Sequence, residues 1–372
     1  MNGPSRMYKI SSSAKNKTCT RLLLCTLSML LLLGCRGESP SAGDKNLRLV
    51  QTETLQLTPE EPLTLGNIMR VTPVSPGSGR FLVKNLNNSY VNVFGRDGSH
   101  LYRFGEPGRG PEEIDRIVSS GFDVANNVVI YDVGQDLLKF FDAQGEFMRA
   151  EDAFTSKGIW LREHLFHFTG DGWIIPMELA EARGWDQKES VAVFNEDFSR
   201  HETGGRWDAF YKDSENIFQH PLIAHSRESG HTWVVHRTSP GIRILDESLE
   251  ERHQLSHSSP NFIEVQQDIL MSYSRQEREQ ALSEISLVMQ PYLTERYFLF
   301  YFINPSEEAY EMQDSINIGM FVAVYDREDY SYVGELSLPA LLTGVIDNKL
   351  MLLLNDNPDA LTIGLFEIEA AE

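Results

Sequence analysis

Cysteine is nearly absent. The 372 residues hold three, Cys19, Cys25 and Cys35, and none beyond position 35. From residue 36 onward this excludes a disulfide framework, a thiolate metal site and a cysteine nucleophile. Positive charge is also short: 33 Lys and Arg stand against 54 Asp and Glu, a net of −21. Such a surface repels phosphate backbones, so no nucleic-acid partner is expected. Long apolar runs are missing too. Leu22 to Leu33 spans twelve residues, short of the roughly 20 that a membrane-spanning helix needs. Neither a G-x-S-x-G elbow nor an H-E-x-x-H helix occurs, which removes two common hydrolase signatures. The remaining composition, 41% hydrophobic, is that of a globular chain rather than a disordered one.

What is present begins with an address. Arg6, Lys9, Lys15, Lys17 and Arg21 precede the short apolar run, and no acidic residue stands among the first 34. A basic segment, a short apolar segment and a small residue form the secretory leader pattern. The ending Leu32-Leu33-Gly34-Cys35 resembles the bacterial lipobox, whose cysteine takes acyl chains such as palmitate and becomes the new N-terminus. The expectation is therefore a lipoprotein signal peptide over 1–34, started at Met1 or Met7, with lipidation at Cys35. Two or more acyl chains anchor a protein stably to a bilayer. Residues 35–46 are rich in Ser, Gly and Pro and read as a flexible tether. Without the five basic residues of the leader, 28 remain against 54 acids, a balance of −26.

The rest of the chain repeats. An alternating apolar run, a polar turn and a second short run recur at 90–104 (YVNVFGRDGSHLYRF), 136–149, 190–202, 241–255 and 320–336, with a truncated copy at 360–372. Period-two alternation around Asp, Gly, Asn and Ser turns signals a hairpin. The last large apolar residue before each turn serves as a marker: Phe94, Phe141, Phe194, Leu245, Tyr325 and Phe366, spaced by 47, 53, 51, 80 and 41. Another strand pair lies upstream of the hairpins, for example over 121–132, 165–177, 222–236 and 341–355. Four short strands per repeat predict an all-β chain, a six-bladed β-propeller of four-stranded blades over 47–372. The last repeat supplies only three strands, and Leu47 to Leu57 is a lone strand at the other end. Pairing the two completes six blades and removes the free sheet edges.

The spacing of 80 requires an insertion of about 30 residues, found near 259–283. There Phe262, Val265, Ile269 and Tyr273 recur at helical spacing, which predicts one helix. Ser274 to Glu277 has the pattern of a capping box for a second. This insertion either packs on the rim or covers one face as a lid or docking element.

Residues 121–147 (GFDVANNVVIYDVGQDLLKFFDAQGEF) resemble an NHL repeat, and 104–114 (FGEPGRGPEEI) resembles the Gly-rich linker of six-bladed propeller lipoproteins of Bacteroidota. The chain thus resembles that lipoprotein family, which implies the ring fold and a lipid anchor in the bacterial cell envelope, at the outer membrane on its periplasmic side or at the cell surface. The resemblance implies no chemistry.

Candidate site residues are few. The glycine-rich loop around Arg109 lacks the Lys-Ser/Thr of a phosphate loop and reads as an inter-blade turn, with Arg109 within reach of an anionic ligand at the ring's mouth. His164 and His167 fall on a strand, where positions three apart face opposite sides, so they predict no shared metal. His220, His225, His231 and His236 show no ligand pattern. Some six-bladed propellers resembling gluconolactonases and paraoxonases hold Ca2+ through oxygen ligands at the central channel. Asp123, Asp132, Asp171 and Asp347, near ends of predicted inner strands, are the weak metal candidates here, and equally plain turn formers. The expected function is a membrane-anchored binding module for a carbohydrate, peptide or protein, with no cofactor required. The alternative is a Ca2+-dependent hydrolase or lyase at the channel. A third organisation, two domains split at the insertion, holds if strand 47–57 does not pair with the C-terminus.

Overall fold

The strands that the repeat predicts assemble into six antiparallel meanders. The structure is a computed structural model that describes residues 46–58, 69–73, 79–85, 89–154, 159–160, 166–179, 188–213, 218–266, 268–270, 272–306, 318–355 and 361–371. The leader 1–34, the lipidation site Cys35, the tether up to residue 45 and His164 lie outside them. Blade 1 is formed by Met69–Pro73, Arg80–Asn85, Val91–Gly95 and His100–Phe104, and blade 2 by Ile117–Phe122, Val128–Asp132, Leu137–Phe141 and Phe147–Asp152. Blade 3 is His167–Phe168, Gly172–Pro176, Glu189–Asn195 and His201–Arg206. Blade 4 is Pro221–His225, Thr232–His236, Gly241–Leu245 and Glu251–Ser256. In blade 5 the innermost strand is broken at Met289–Pro291 into Leu287–Val288 and Tyr292–Leu293, both paired with Tyr297–Asn304; Gly319–Asp326 and Tyr332–Ser337 follow.

Blade 6 closes the ring. Leu341–Ile346, Lys349–Asn355 and Leu361–Ala370 are its inner three strands, and the N-terminal strand Leu47–Leu57 is the fourth, in register from Leu47↔Ala370 to Leu57↔Leu361. That pairing rules out a two-domain chain split at the insertion. It also hides the edge of a ten-residue strand that would otherwise template aggregation.

Burial follows position in the blade. The middle strands Val128–Asp132, Gly172–Pro176, Thr232–His236 and Gly241–Leu245 are buried at every residue, whereas the outer strands Phe147–Asp152 and Glu251–Ser256 are largely exposed. A middle strand has a neighbouring blade on each face, so it reads as a continuous apolar run; an outer strand meets solvent and turns polar. Most buried hydrophobic side chains among the described residues fall into six clusters, each joining two adjacent blades. Phe141, Ile130 and Leu82 bind blade 1 to blade 2, and Trp173, Phe194 and Tyr131 bind blade 2 to blade 3. Ile174, Ile223 and Leu245 join blades 3 and 4, Trp233 and Phe298 join 4 and 5, and Tyr301 and Leu350 join 5 and 6. The closing seam holds Leu55, Leu57 and Ile363 against Phe81 and Phe94. The core is therefore a ring of six seams.

All six sequence markers sit on the third strand of their blade. In five blades the outer strand skips a residue beside the marker, as where Phe140 pairs with Arg149 but Phe141 with Phe147. One recurring bulge at one position is the structural repeat behind the sequence repeat. The turns that follow in blades 1 to 5 each place one residue in the left-handed region: Gly98, Gly145, Phe198, Leu249 and Tyr330. Asp142 and Asp246 hold such turns by accepting two amides each, from Gln144 and Glu146 and from Ser248 and Glu250.

The insertion departs from expectation. Arg275–Ser283 is a helix, and Ser274 and Glu277 form the expected reciprocal cap. The described residues between Phe262 and Tyr273 are not helical. Their apolar side chains serve separate seams: Phe262 packs on His257, Phe300 and Phe302 between blades 4 and 5, and Ile269 enters the cluster of blades 5 and 6. Anchors pulled to two places override a helical spacing. Ser259 and Asn261 are further tied to Glu335. Among the described residues, no helix is long and apolar enough to cross a membrane.

Candidate functional site

Antiparallel meanders put the first-to-second and third-to-fourth turns at one end of the ring, the turn end. The inter-blade linkers gather at the other, the linker end. A cavity of about 760 Å³ opens at the turn end, lined by the innermost strands of blades 2 to 6 and the turns that follow them.

The ladder registers align one residue of each innermost strand toward the turn end. Each marker pairs with one residue of the second strand, and that residue with one of the innermost strand. In blades 1 to 3 the rows end at Pro73, Phe122 and Phe168, and in blades 5 and 6 at Leu293 and Val345. In blade 4 the row runs from Leu245 through Thr232 to His225. An imidazole thus stands where five blades carry an apolar residue.

A second imidazole meets it. Phe166 and Phe168 pack in the seam between blades 2 and 3, so strand alternation turns His167 toward blade 4. Ile223 packs in the seam between blades 3 and 4, so His225, two residues on, faces blade 3. The two rings therefore approach across one seam. Burial pushes His167 down to about 4, against a hydrogen bond to the Ile223 backbone that acts the other way. Burial, the neighbouring His167 and the charge of Arg227 push His225 down to about 3. Both rings are neutral at pH 7. His225 Nδ1 lies 3.0 Å from Thr232 Oγ1. The buried His167 Nε2 has no hydrogen-bond partner, a state that costs about 1–3 kcal/mol for a polar group.

The rim is stapled. Arg327 of blade 5 donates to Ser226 Oγ of blade 4 at 2.5 Å, to the Glu295 carbonyl at 3.0 Å and to that of Thr294. The Glu295 amide donates to Asn348 Oδ1 of blade 6 at 2.6 Å, and Asp347 pairs with Arg96 of blade 1 at 2.6 Å. Arg227 is exposed, forms no ion pair among the described residues and lies over the Phe168 ring at 5.9 Å. These bonds link blades 4, 5, 6 and 1 around the mouth, so the site is held in shape before any ligand arrives.

The residues singled out in the sequence are not brought together. Asp123 and Asp347 line the cavity. Asp123 is spent on its turn, accepting from the amides of Ala125 and Asn127 and from Asn127 Nδ2, each at 2.8 Å. Asp171 sits on the equivalent turn of blade 3, where Thr169 Oγ1 donates to it at 3.1 Å. Asp132 is wholly buried at the linker end, pairs with Lys139 at 3.3 Å and accepts from the amides of Asp115 and Arg116. Arg109 is also at the linker end, held by Asp115 at 2.9 Å and largely exposed. The loop that carries it is an inter-blade turn: Gly105 has φ +77°, and a Cβ there would meet Ile114 at 2.3 Å. Among the described residues no three His, Cys, Asp or Glu side chains converge as metal ligands. The pair His167 and His225 escaped the sequence because the two lie on different blades; aligning the rows on the markers exposes His225 as the odd residue.

No family model and no curated protein matches the chain. Solved structures do. A member of the DUF4221 family from Bacteroides vulgatus superposes with a TM-score of 0.68 at 13% identity, over 88% of this chain and 100% of that one. A protein of Bacteroides fragilis inferred to be exported gives 0.58 at 12% identity, over 90% and 98%. At such identities the likeness is one of fold: the chain is a six-bladed β-propeller with structural neighbours among Bacteroides proteins, one of them a DUF4221 member.

Proposed function

We propose that this protein is a lipid-anchored binding module of the bacterial cell envelope, attached through Cys35 and taking a small ligand at the turn end of its channel. The observation that carries the binding reading is the cavity of about 760 Å³, within the range of roughly 300–1,000 Å³ usual for small-molecule sites. Its rim is cross-bonded, and His167, whose buried Nε2 has no hydrogen-bond partner among the described residues, is part of its lining. The leader, the lipobox-like ending and the likeness to a protein inferred to be exported support the envelope address. Calcium chemistry has less support, because Asp132 and Asp171 do not line the cavity and Asp123 is saturated by its turn.

The anchor is tested by metabolic labelling with a palmitate analogue: the wild type should carry label in the membrane fraction and Cys35→Ser should not. The site is tested by ligand-observed NMR with a fragment library. Hits should vanish in the Arg227→Ala/His225→Leu double variant; hits that persist there place binding elsewhere and defeat the reading.

A further inference from the structure

Resting on the binding reading above, we infer that the ligand is a neutral saccharide, a short oligosaccharide seated between the blade 3–blade 4 imidazoles and the aromatic wall of the channel. Three observations converge. The first is the polarity of the deepest groups. His167 Nε2 is buried without a hydrogen-bond partner among the described residues, and His225 has its Nδ1 engaged by Thr232, so its Nε2 is the ring nitrogen left for a ligand. A neutral imidazole nitrogen there offers either an N–H or a lone pair, according to its tautomer, and a hydroxyl, both donor and acceptor, answers either one. A carboxylate, with lone pairs alone, answers only the N–H form.

The second is the charge of the mouth. Asp123, Glu228, Glu295 and Asp347 stand on the lining with two cations, Arg227 and Arg327. Arg327 is committed to carbonyls and Ser226, and Asp347 is answered by Arg96. The residual acidity disfavours an anion, and the histidines supply no compensating charge. The third is the wall. Phe122, Phe168 and Tyr292 border the cavity beside Ser226, Thr294 and Asn348. Aromatic faces carry partial negative charge and suit the polarised C–H groups of a sugar ring, while the flanking hydroxyls and amide suit its edge. A volume of this size holds a few sugar rings and not a folded partner.

The test is calorimetric titration of the full chain from residue 36, with neutral di- and trisaccharides of glucose, mannose, galactose and N-acetylglucosamine, their uronic-acid counterparts and a set of tripeptides. His225→Leu installs the residue type that Leu293 supplies at the equivalent position of blade 5, so its fold is expected to survive, checked by an unchanged melting temperature. The expected result is binding of at least one neutral saccharide, at least tenfold weaker in His225→Leu and unaltered by Arg109→Ala at the opposite end. Binding of uronates or peptides alone, with the same dependence on His225, overturns the saccharide and leaves the binding module standing. Binding of none of the three classes overturns both. Neutral saccharide binding indifferent to His225→Leu overturns the assignment to this site.

Discussion

Lys139 Nζ lies 3.3 Å from Asp132 Oδ2, and neither side chain has any solvent exposure. Lys139 also donates to the carbonyls of Gly110 and Glu113, while Asp132 accepts from the amides of Asp115, Arg116 and Gly134 and from Gln135. One ion pair thus holds the whole linker between blades 1 and 2. Removing one partner of a buried pair strands the other and costs about 3–5 kcal/mol. Lys139→Met is expected to lower the urea midpoint accordingly, and Asp132→Asn to do nearly as much. A double variant close to the wild type would show that the linker is held by its backbone alone.

Phe198 sets two effects against each other. Its φ of 57° is one that L-residues avoid, at a cost of about 1–2 kcal/mol. Its ring stacks on Trp173 at 5.6 Å and meets Phe194 and Phe154 at 5.4 and 5.9 Å. Truncating a buried Phe to Ala costs about 3–5 kcal/mol, so packing outweighs strain. Phe198→Ala should destabilise by about that amount and Phe198→Gly by about 1 kcal/mol less, since glycine relieves the strain. Equal losses by chemical denaturation would show that the turn stores none.

Three histidines, His236 buried and His167 and His225 partly so, set the acid limb of stability. Burial pushes His167 and His236 down to about 4 and His225 to about 3, each from 6.5. The unfolded chain binds these protons first, so stability is full above pH 6.5 and falls as the pH drops toward 4 and then 3. Asp246, held down to about 2 from 3.8 by hydrogen bonds led by that from Ser248, contributes stability that is full above pH 3.8 and is lost only as the pH falls from there toward 2. Urea midpoints at pH 7.5, 5.5 and 4.5 should fall in that order, less steeply in His225→Leu. A flat profile would mean that the imidazoles reach water.

Glu335 pins the insertion to blade 5. It accepts from Asn261 Nδ2 at 2.7 Å, from Ser259 Oγ at 3.0 Å and lies 3.1 Å from His257 Nε2. Burial pushes its carboxyl up, but these bonds outweigh burial and hold it below the usual range. Glu335→Ala should speed hydrogen exchange at Asn261 and Ile263 while strand Leu299–Ile303 keeps its protection. Uniform acceleration across blade 5 would make Glu335 a support of the blade rather than of the insertion.

The blade repeat, the pairing of Leu47–Leu57 with the last three strands, and the cap of Ser274 on Glu277 were legible because each is local or periodic. Alternation, turn residues and a leftover strand at each end suffice for them. The helix expected over Phe262 to Tyr273 failed for a tertiary reason, since Phe262 and Ile269 are claimed by different seams. The four aspartates were chosen as residues at strand ends, and turn amides and a buried lysine claim two of them. His167 and His225 come from strands 58 positions apart. Only the closing angle of the ring turns the odd face of one blade onto the odd face of the next. Strand order and ring size were therefore written in local pattern, while the chemistry of the channel, which depends on contacts between blades, was decided by the tertiary structure.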